Sequence, residues 1–348
     1  MLVSEGVAAA GCKGALRGAG QARGGNVPGV EGRPLTGHVP NSLKRRIPAV
    51  RERDALRREV QELRARVREL EGRLDEDSAE AQGGLYGTYA GNDRMLIRPV
   101  WGGRLHAHSE DLSLTPELVT RGTYDAPFTA FVRRYIRPGD VVFDVGANIG
   151  FFTILLGYQV WERGTVIAYE ANPRVLPVLR DNVSMNWFFD RVEVVSKAAA
   201  AEVGKLPFLV PTRFDSCGSL MPVEHVLSTE DRLSEIERVE VDAEPLDVHA
   251  GRFERIDLIK VDVEGAEEQV FAGMDGLLGS RVVRRVSFEI ARSHIGDDWE
   301  PFRRRLLVLR DAGWSFATIS ESGEPEPAVL EALFDRPQIS QVLMTRGS

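Results

Sequence analysis

Residues 141–150 read V-V-F-D-V-G-A-N-I-G, an apolar run that ends on Asp144 and breaks into a turn bracketed by Gly146 and Gly150. A near-continuous apolar run is how a parallel strand buried on both faces reads. A glycine just past its end lets the backbone approach a ligand with no Cβ in the way. The next stretch, 151–160, is apolar enough to pack as a helix on the sheet, with its N-terminal amides facing an anionic group held over the turn.

The same alternation continues down the chain. Apolar runs predict strands near 141–145, 165–170, 191–196 and 256–263, with helices at 149–160, 173–186 and 265–277 and later strands near 283–290, 314–320 and 339–345. Upstream, short strands precede a helix over 127–135, where Phe128, Phe131, Val132 and Tyr135 recur at helical spacing. Alternating strands and helices predict an α/β protein with a doubly wound, mostly parallel sheet. Residues 203–243 interrupt the pattern. Runs at 205–210 and 239–243 read as extra strands around a loop containing Cys217, Gly218 and Ser219, an insertion suited to the substrate side.

A second motif narrows the ligand. Residues 165–170, T-V-I-A-Y-E, end in Glu170 roughly 20 residues after the glycines, where a carboxylate can hold both hydroxyls of a ribose. An adenosine cofactor is implied. A dinucleotide site requires G-x-G-x-x-G to seat a pyrophosphate, whereas G-A-N-I-G brings fewer amides to close range, which favours S-adenosylmethionine over NAD. The competing structural reading is that Glu170 is a solvated cap before Asn172-Pro173.

Composition bounds the rest. The 348 residues are 43% hydrophobic and 28% charged, ample for a globular domain with appendages. Cys12 and Cys217 have no partner at ligand spacing, so neither a disulfide framework nor a metal site is expected, and a reducing compartment fits. No run approaches ~18 apolar residues and no secretory signal is evident, so a cytoplasmic protein without a membrane span is expected. Residues beyond 80 carry 29 basic against 40 acidic side chains. That balance argues against nucleic acid, whose binding rests on phosphate neutralisation, and for a small-molecule or glycan partner. Residues 1–43, rich in Gly and Ala without periodicity, read as a disordered leader. Over 44–82 the spacing of Leu56, Val60, Leu63, Val67, Leu70 and Leu74 predicts a coiled-coil helix that could form a homodimer through 50–76, or pack singly on its own domain. Residues 85–348 form the expected main domain, with a core at 120–320.

Four blocks, V-F-D-V-G-A-N-I-G-F-F-T at 142–153, A-Y-E-A-N-P at 168–173, L-I-K-V-D-V-E-G-A-E at 258–267 and S-F-E-I at 287–290, together resemble the FkbM-type family of S-adenosylmethionine-dependent methyltransferases in order and spacing. Gly122-x-Tyr124, Pro138-Gly139-Asp140 and Leu246-Asp247 look like its lesser landmarks. The resemblance covers about 120–320. It implies a class I methyltransferase (Rossmann-like) fold whose last strand enters antiparallel, and methyl transfer, commonly onto a hydroxyl oxygen. The family often has Phe-Glu-Pro-Asn-Pro where this chain has Tyr169-Glu170-Ala171-Asn172-Pro173. The third strand ends at Ser196-Lys197-Ala198 without an acidic residue for the adenine amine, so the backbone near Ala198 is expected to make that contact.

The expected cofactor site is thus Asp144, Gly146, Ala147, Asn148, Gly150, Glu170, Asn172 and Ala198. Asp144 either anchors the turn or accepts from the methionine ammonium. The amides near Gly150 face the methionine carboxylate, and Glu170 takes the ribose diol. Catalytic candidates are Asp262 and Glu264 at the end of the fourth strand, with His294 as another base and Glu289 to orient it or the acceptor. Structural readings compete: Glu264 as a helix cap, Asp262 as a loop anchor, His294 as a surface residue. No ligand spacing calls for a metal. The expected activity is O-methylation of a sugar, glycan or small natural product. The alternatives are a non-catalytic Rossmann-like scaffold assembling through its coiled coil, and an NAD-dependent oxidoreductase.

Overall fold

The structure, a computed structural model, describes residues 85–211, 213, 214, 218–220 and 236–347. The expected leader, the coiled coil with its dimer and Cys217 lie outside the described residues. Strands β1 (Gly87–Gly91), β2 (Arg94–Ile97) and β3 (Leu105–His108) form an antiparallel meander, followed by helices α1 (Thr115–Arg121) and α2 (Ala126–Tyr135). The start of α2 is fixed locally: the Asp125 side chain accepts from the Phe128 amide, and a proline sits in the first turn, where no N–H is needed.

The alternating region then runs β4 (Val141–Val145), α3 (Phe151–Val160), β5 (Thr165–Tyr169), α4 (Leu176–Met185), β6 (Val192–Val195), β7 (Ala198–Ala199), β8 (Gly204–Pro211), β9 (Ile236–Glu244) and β10 (Leu258–Val261). Next come α5 (Glu267–Ala272), α6 (Asp275–Gly279), β11 (Arg285–Ala291), α7 (Arg292–Ile295), α8 (Trp299–Asp311), β12 (Trp314–Ile319), β13 (Pro325–Ala328), α9 (Leu330–Phe334) and β14 (Gln338–Arg346). The central sheet has the order β13-β12-β14-β11-β10-β4-β5-β6. Its segment from β11 to β6 is parallel throughout, while β14 inserts antiparallel to both β11 and β12.

Side-chain alternation along these strands builds a core on each face of the sheet. On β4, Phe143 and Val145 join Ile259 and Val261 of β10 beneath α5 and α8, whereas Val142 and Leu258 face α2, α3 and α4. The insertion contributes a smaller three-stranded sheet, in which β8 pairs antiparallel with β9 from Gly204↔Ala243 to Pro211↔Ile236 and β7 runs beside β9.

Three expected boundaries move, each for a backbone reason. Helix α3 begins at Phe151 and not at 149, because Asn148 (φ 52°) and Gly150 (φ 93°) are left-handed. Strand β10 ends at Val261, since Glu264 (φ 52°) and Gly265 (φ 102°) turn the chain sharply just beyond it. The single helix expected over 265–277 divides into α5 and α6 at Gly273, where a Cβ would stand 2.0 Å from the Ala200 carbonyl oxygen.

Candidate active site

In this strand order the chain crosses from one half of the sheet to the other between β4 and β10. Ligands of open α/β sheets bind beyond the carboxyl ends of strands at such a point. A cleft of about 880 Å³, part of it open to solvent, lies there. Two rims form it.

The first rim is the β4 turn against the end of β5. Gly146 has φ 81°, and a Cβ on it would lie 1.8 Å from the Asp262 carbonyl oxygen, so only glycine lets the two loops meet. The Gly146 and Ala147 amides both donate to the Tyr169 carbonyl, at 3.0 and 2.9 Å. The Asn148 amide donates to Glu170 Oε2 and the Asn172 amide to Glu170 Oε1, each at 2.6 Å. Glu170 is 7% exposed, and burial pushes its carboxyl up to about 7 against the pull of those amides. The Ala171 amide also acts on this carboxylate, so of its roughly four lone-pair sites at least one is left for a hydroxyl donor.

This geometry narrows which backbone groups remain free. Gly146, Ala147 and Asn148 line the cleft, but their amides are spent on Tyr169 and Glu170, and the Gly150 amide donates to the Ala147 carbonyl at 2.9 Å. Gly150 itself packs toward Leu179 and is not among the lining residues. The uncommitted donors at this end are the first-turn amides of α3, where Phe151 and Phe152 line the cleft. Asn172 and Ala198 line it, and Asn172 Nδ2 is a buried donor without a partner among the described residues.

The second rim is the β10 loop. Lys260, 2% exposed, stands in direct register with Asp144 on β4, with Nζ 3.4 Å from Asp144 Oδ1 and 3.1 Å from Asp262 Oδ2. It also lies 5.3 Å from the Phe152 ring centre. Burial opposes its charge, but Asp262 and Asp144 outweigh that and hold the ammonium more basic than usual. Asp144 is fully buried beneath the turn, accepts from Thr153 Oγ1 at 2.6 Å and is absent from the cleft wall. Its contacts are Thr153 on α3 and the Lys260 ammonium, and Lys260 itself lines the cleft.

Asp262 and Glu264 both line the cleft. Glu264 sits within a braced turn: its carbonyl accepts from Ser219 Oγ at 2.7 Å, and Glu267 Oε1 accepts from the Gly265 and Val263 amides at 3.3 and 3.4 Å. Glu267, not Glu264, is thus the carboxylate that ties down the helix-opening amides. Burial, then Asp262, Glu289 and Glu267, raise the Glu264 carboxyl well above its ordinary value. Burial and Glu289 raise Glu267 to about 8, and burial and Asp262 raise Glu289 to about 7. Glu289 and His294 stand behind this wall: Glu289 Oε1 accepts from Gln338 Nε2 at 2.9 Å, and His294 Nδ1 is 3.5 Å from Glu264 Oε2. Burial keeps His294 below the usual imidazole range.

Sequence reasoning missed Lys260 and treated Tyr124 only as a landmark. A lysine inside the apolar run L-I-K-V is the signal that could have found the first, because a buried ammonium demands a carboxylate partner. Tyr124 lines the cleft, meets Phe151 edge to face and packs tilted against Phe152. Burial, Asp262 and Glu264 keep its phenol protonated, a hydrogen-bond donor among acceptors. Phe208, Gly218 and Leu220 bring the insertion to the same cleft.

A mostly parallel sheet with β14 inserted antiparallel between β11 and β12, and a cleft held between a glycine turn and a strand-end carboxylate, define a class I methyltransferase. Residues 144–316 match the Methyltransferase FkbM domain, and the chain belongs to that family, with S-adenosylmethionine as its cofactor. It is 26% identical over 198 residues to methyltransferase sdnD of Sordaria araneosa, covering 50% of this chain and 73% of that protein. It is 31% identical over 175 residues to the 31-O-demethyl-FK506 methyltransferase FkbM of Streptomyces tacrolimicus, covering 44% of this chain and 66% of that one. Among solved structures it aligns with a SAM-dependent O-methyltransferase of Thermotoga maritima at 13% identity and TM-score 0.33, over 73% of this chain and 77% of that one. No helix among the described residues is long and apolar enough to cross a membrane.

Proposed function

We propose that this protein is an O-methyltransferase that places the methyl group of S-adenosylmethionine on a hydroxyl of a sugar, glycan or small natural product. The observation that carries the reading is the meeting, in one cleft, of an occupied-backbone rim with a diol-binding carboxylate, Glu170, and a second rim bearing Asp262 and Glu264. The name of the Streptomyces relative, an O-demethyl-FK506 methyltransferase, supports an oxygen acceptor.

When bound, the cofactor supplies a methyl group already activated on a sulfonium. The chain's residues then hold, orient and deprotonate. Glu170 and the Asn172 Nδ2 donor take the ribose side, the Ala198 backbone flanks the base, and the α3 first-turn amides at Phe151 and Phe152 face the methionine carboxylate. Lys260 and Asp144 keep the β4 and β10 ends in fixed register. In this reading Phe208, Leu220 and Tyr124 supply apolar and donor surface for the acceptor, and their place in the cleft wall supports a substrate-binding role for the insertion. Alignment of the acceptor oxygen and removal of its proton are the remaining tasks.

Incubating the purified protein with methyl-labelled S-adenosylmethionine and a cell extract tests the reading. Label should appear in a hydroxyl-bearing small molecule or glycan as a base-stable methyl ether. Label only on nitrogen or on nucleic acid would overturn the assignment.

A further inference from the structure

The acceptor's proton needs a route out of the cleft, and the β10 loop sets two ionisable side chains in series. Glu264 is held left-handed, at φ 52°, a conformation that a residue other than glycine keeps only when its surroundings impose it. Here they do. Ser219 Oγ holds its carbonyl, and Glu267 Oε1 gathers the amides on either side of it. The strained turn puts Glu264 in the cleft wall with Oε2 3.5 Å from His294 Nδ1 on the far side. That nitrogen is shielded from solvent and has no hydrogen-bond partner among the described residues, while the His294 side chain as a whole is 29% exposed. A slight rotation of either group closes the gap, as catalytic hydrogen bonds often do only once substrate is bound.

Asp262, the neighbouring carboxylate, is differently placed. Its Oδ2 already pairs with the buried Lys260 ammonium at 3.1 Å, and a proton taken there would leave that ammonium with Asp144 alone.

We propose that Glu264 takes the proton of the acceptor hydroxyl and that His294 relays it to solvent. The inference rests on the methyl-transfer reading above. As the acceptor O–H bond breaks, its electron pair stays on the oxygen, which uses a pair to form the new C–O bond while the methyl–sulfur bond breaks, its pair stays on the sulfur and the donor leaves as a neutral thioether. The proton goes to the Glu264 carboxylate and passes from Oε2 to Nδ1 of His294. The resulting imidazolium gives up a proton to water from its other nitrogen, so the pair returns to its starting charge. Asp262 keeps its ion pair throughout and serves as a fixed anion beside the reacting centre.

The groups facing Glu264 suit it to this work. Asp262 beside it, Glu267 on α5 and Glu289 on β11 all disfavour its negative charge, with Lys260 on β10 opposing them, and the protonated Tyr124 phenol ahead of α2 lies in the same electrostatic field. Such a carboxylate binds a proton readily but releases it slowly to the cleft. Burial lowers the proton affinity of the imidazole at its back, so the handover from Glu264 is uphill and is carried forward only because the imidazolium gives its proton on to water.

The test uses the full chain with methyl-labelled S-adenosylmethionine, a cell extract as the acceptor source, and NMR titration of the His294 imidazole in the protein without acceptor. Glu264→Gln should lower label transfer at least 100-fold while calorimetric affinity for S-adenosylmethionine stays within twofold. His294→Ala should lower transfer about tenfold at pH 7 and move the rising limb of the pH–rate profile to higher pH, with the deficit shrinking above pH 8. His294→Gln, which fills the space without titrating, should match His294→Ala. In the NMR arm, Glu264→Gln should lower the His294 midpoint by removing the adjacent anion. A wild-type pH profile in both His294 variants, or a His294 midpoint unmoved by Glu264→Gln, would overturn the relay. If the wild type labels nothing in the extract, the methyl-transfer reading fails separately, and the NMR arm still decides the pairing.

Discussion

The two rims of the cleft are built on opposite principles. Around Gly146 and Glu170 nearly every polar group is satisfied by the chain's own backbone: Tyr169 accepts two amides, Glu170 two more, and glycine supplies the one conformation a side chain would block. Around Lys260, Asp262 and Glu264 the side chains face one another instead, with one ammonium shared between two carboxylates and four acidic groups within mutual influence. Backbone-built rims give rigid, sequence-local recognition. Charge-built rims give groups with displaced proton affinity, which is what proton transfer at neutral pH needs.

The difference is most strongly exposed at Lys260. Replacing it with Met leaves Asp144 and Asp262 without their shared cation, and removing one partner of a buried ionic set typically destabilises by about 3–5 kcal/mol. Asp144, already pushed up by burial, would rise further. A carboxyl whose folded-state proton affinity exceeds its unfolded one adds stability below its unfolded pKa and loses it as pH rises through the folded value. The Lys260→Met penalty should therefore be largest near pH 7–8 and shrink toward pH 5. Denaturant unfolding across that range measures it, and a penalty under 1 kcal/mol at pH 7 would mean the second rim is not held by charge.

On the backbone-built side, Gly146→Ala should lower stability by about 2–4 kcal/mol, combining left-handed strain with overlap on the Asp262 carbonyl. This loss should be independent of pH, in contrast to Lys260→Met. Thermal melts at pH 5.5 and 8 separate the two, and a pH-dependent loss for Gly146→Ala would erase the distinction between the rims.

Glu170→Ala probes recognition at the first rim. Hydrogen bonds to a charged group contribute about 1.5–3 kcal/mol, so affinity for S-adenosylmethionine should fall roughly 10- to 100-fold by calorimetric titration. Asp144→Asn, one layer below the cleft, should change it only a few-fold. Equal losses would return Asp144 to direct contact.

How far each rim could be read from sequence follows from the same contrast. Gly146, Gly150 and Glu170 are legible because a turn and a strand end are local events, coded by residues whose conformations are special on their own. What sequence reading could not specify there was which backbone groups are already committed, since Gly146 and Ala147 donate to Tyr169, a partner fixed only when β4 and β5 pair. At the second rim Asp262 and Glu264 stand out by position, but their division of labour does not. The Lys260↔Asp144 register joins two strands that are far apart in the chain, and the Glu264–His294 approach depends on a left-handed turn at a residue type that gives no hint of it. The order of elements was legible from periodicity; the break at Gly273 was not, because its cause is the Ala200 carbonyl from the inserted sheet.

The smallest expected effect joins both rims through pH. Glu170 stands near 7 in the free protein because burial outweighs the amides of Asn172 and Asn148. Hydroxyl donors of a ribose favour the ionised carboxylate, so cofactor affinity should rise about tenfold between pH 6 and 8, with the slope centred near 7. Stability of the cofactor-free protein should run the other way. A carboxyl raised above its unfolded value stabilises below about pH 4.5 and loses that contribution as pH passes 7, and Glu289 and Glu267, raised to about 7 and 8, add to the same decline. Glu170→Gln should flatten the binding slope completely but the stability slope only in part, because the second rim still titrates. A pH-independent affinity in the wild type would show that Glu170 enters the site ionised at all these pH values, and that its backbone cradle outweighs burial.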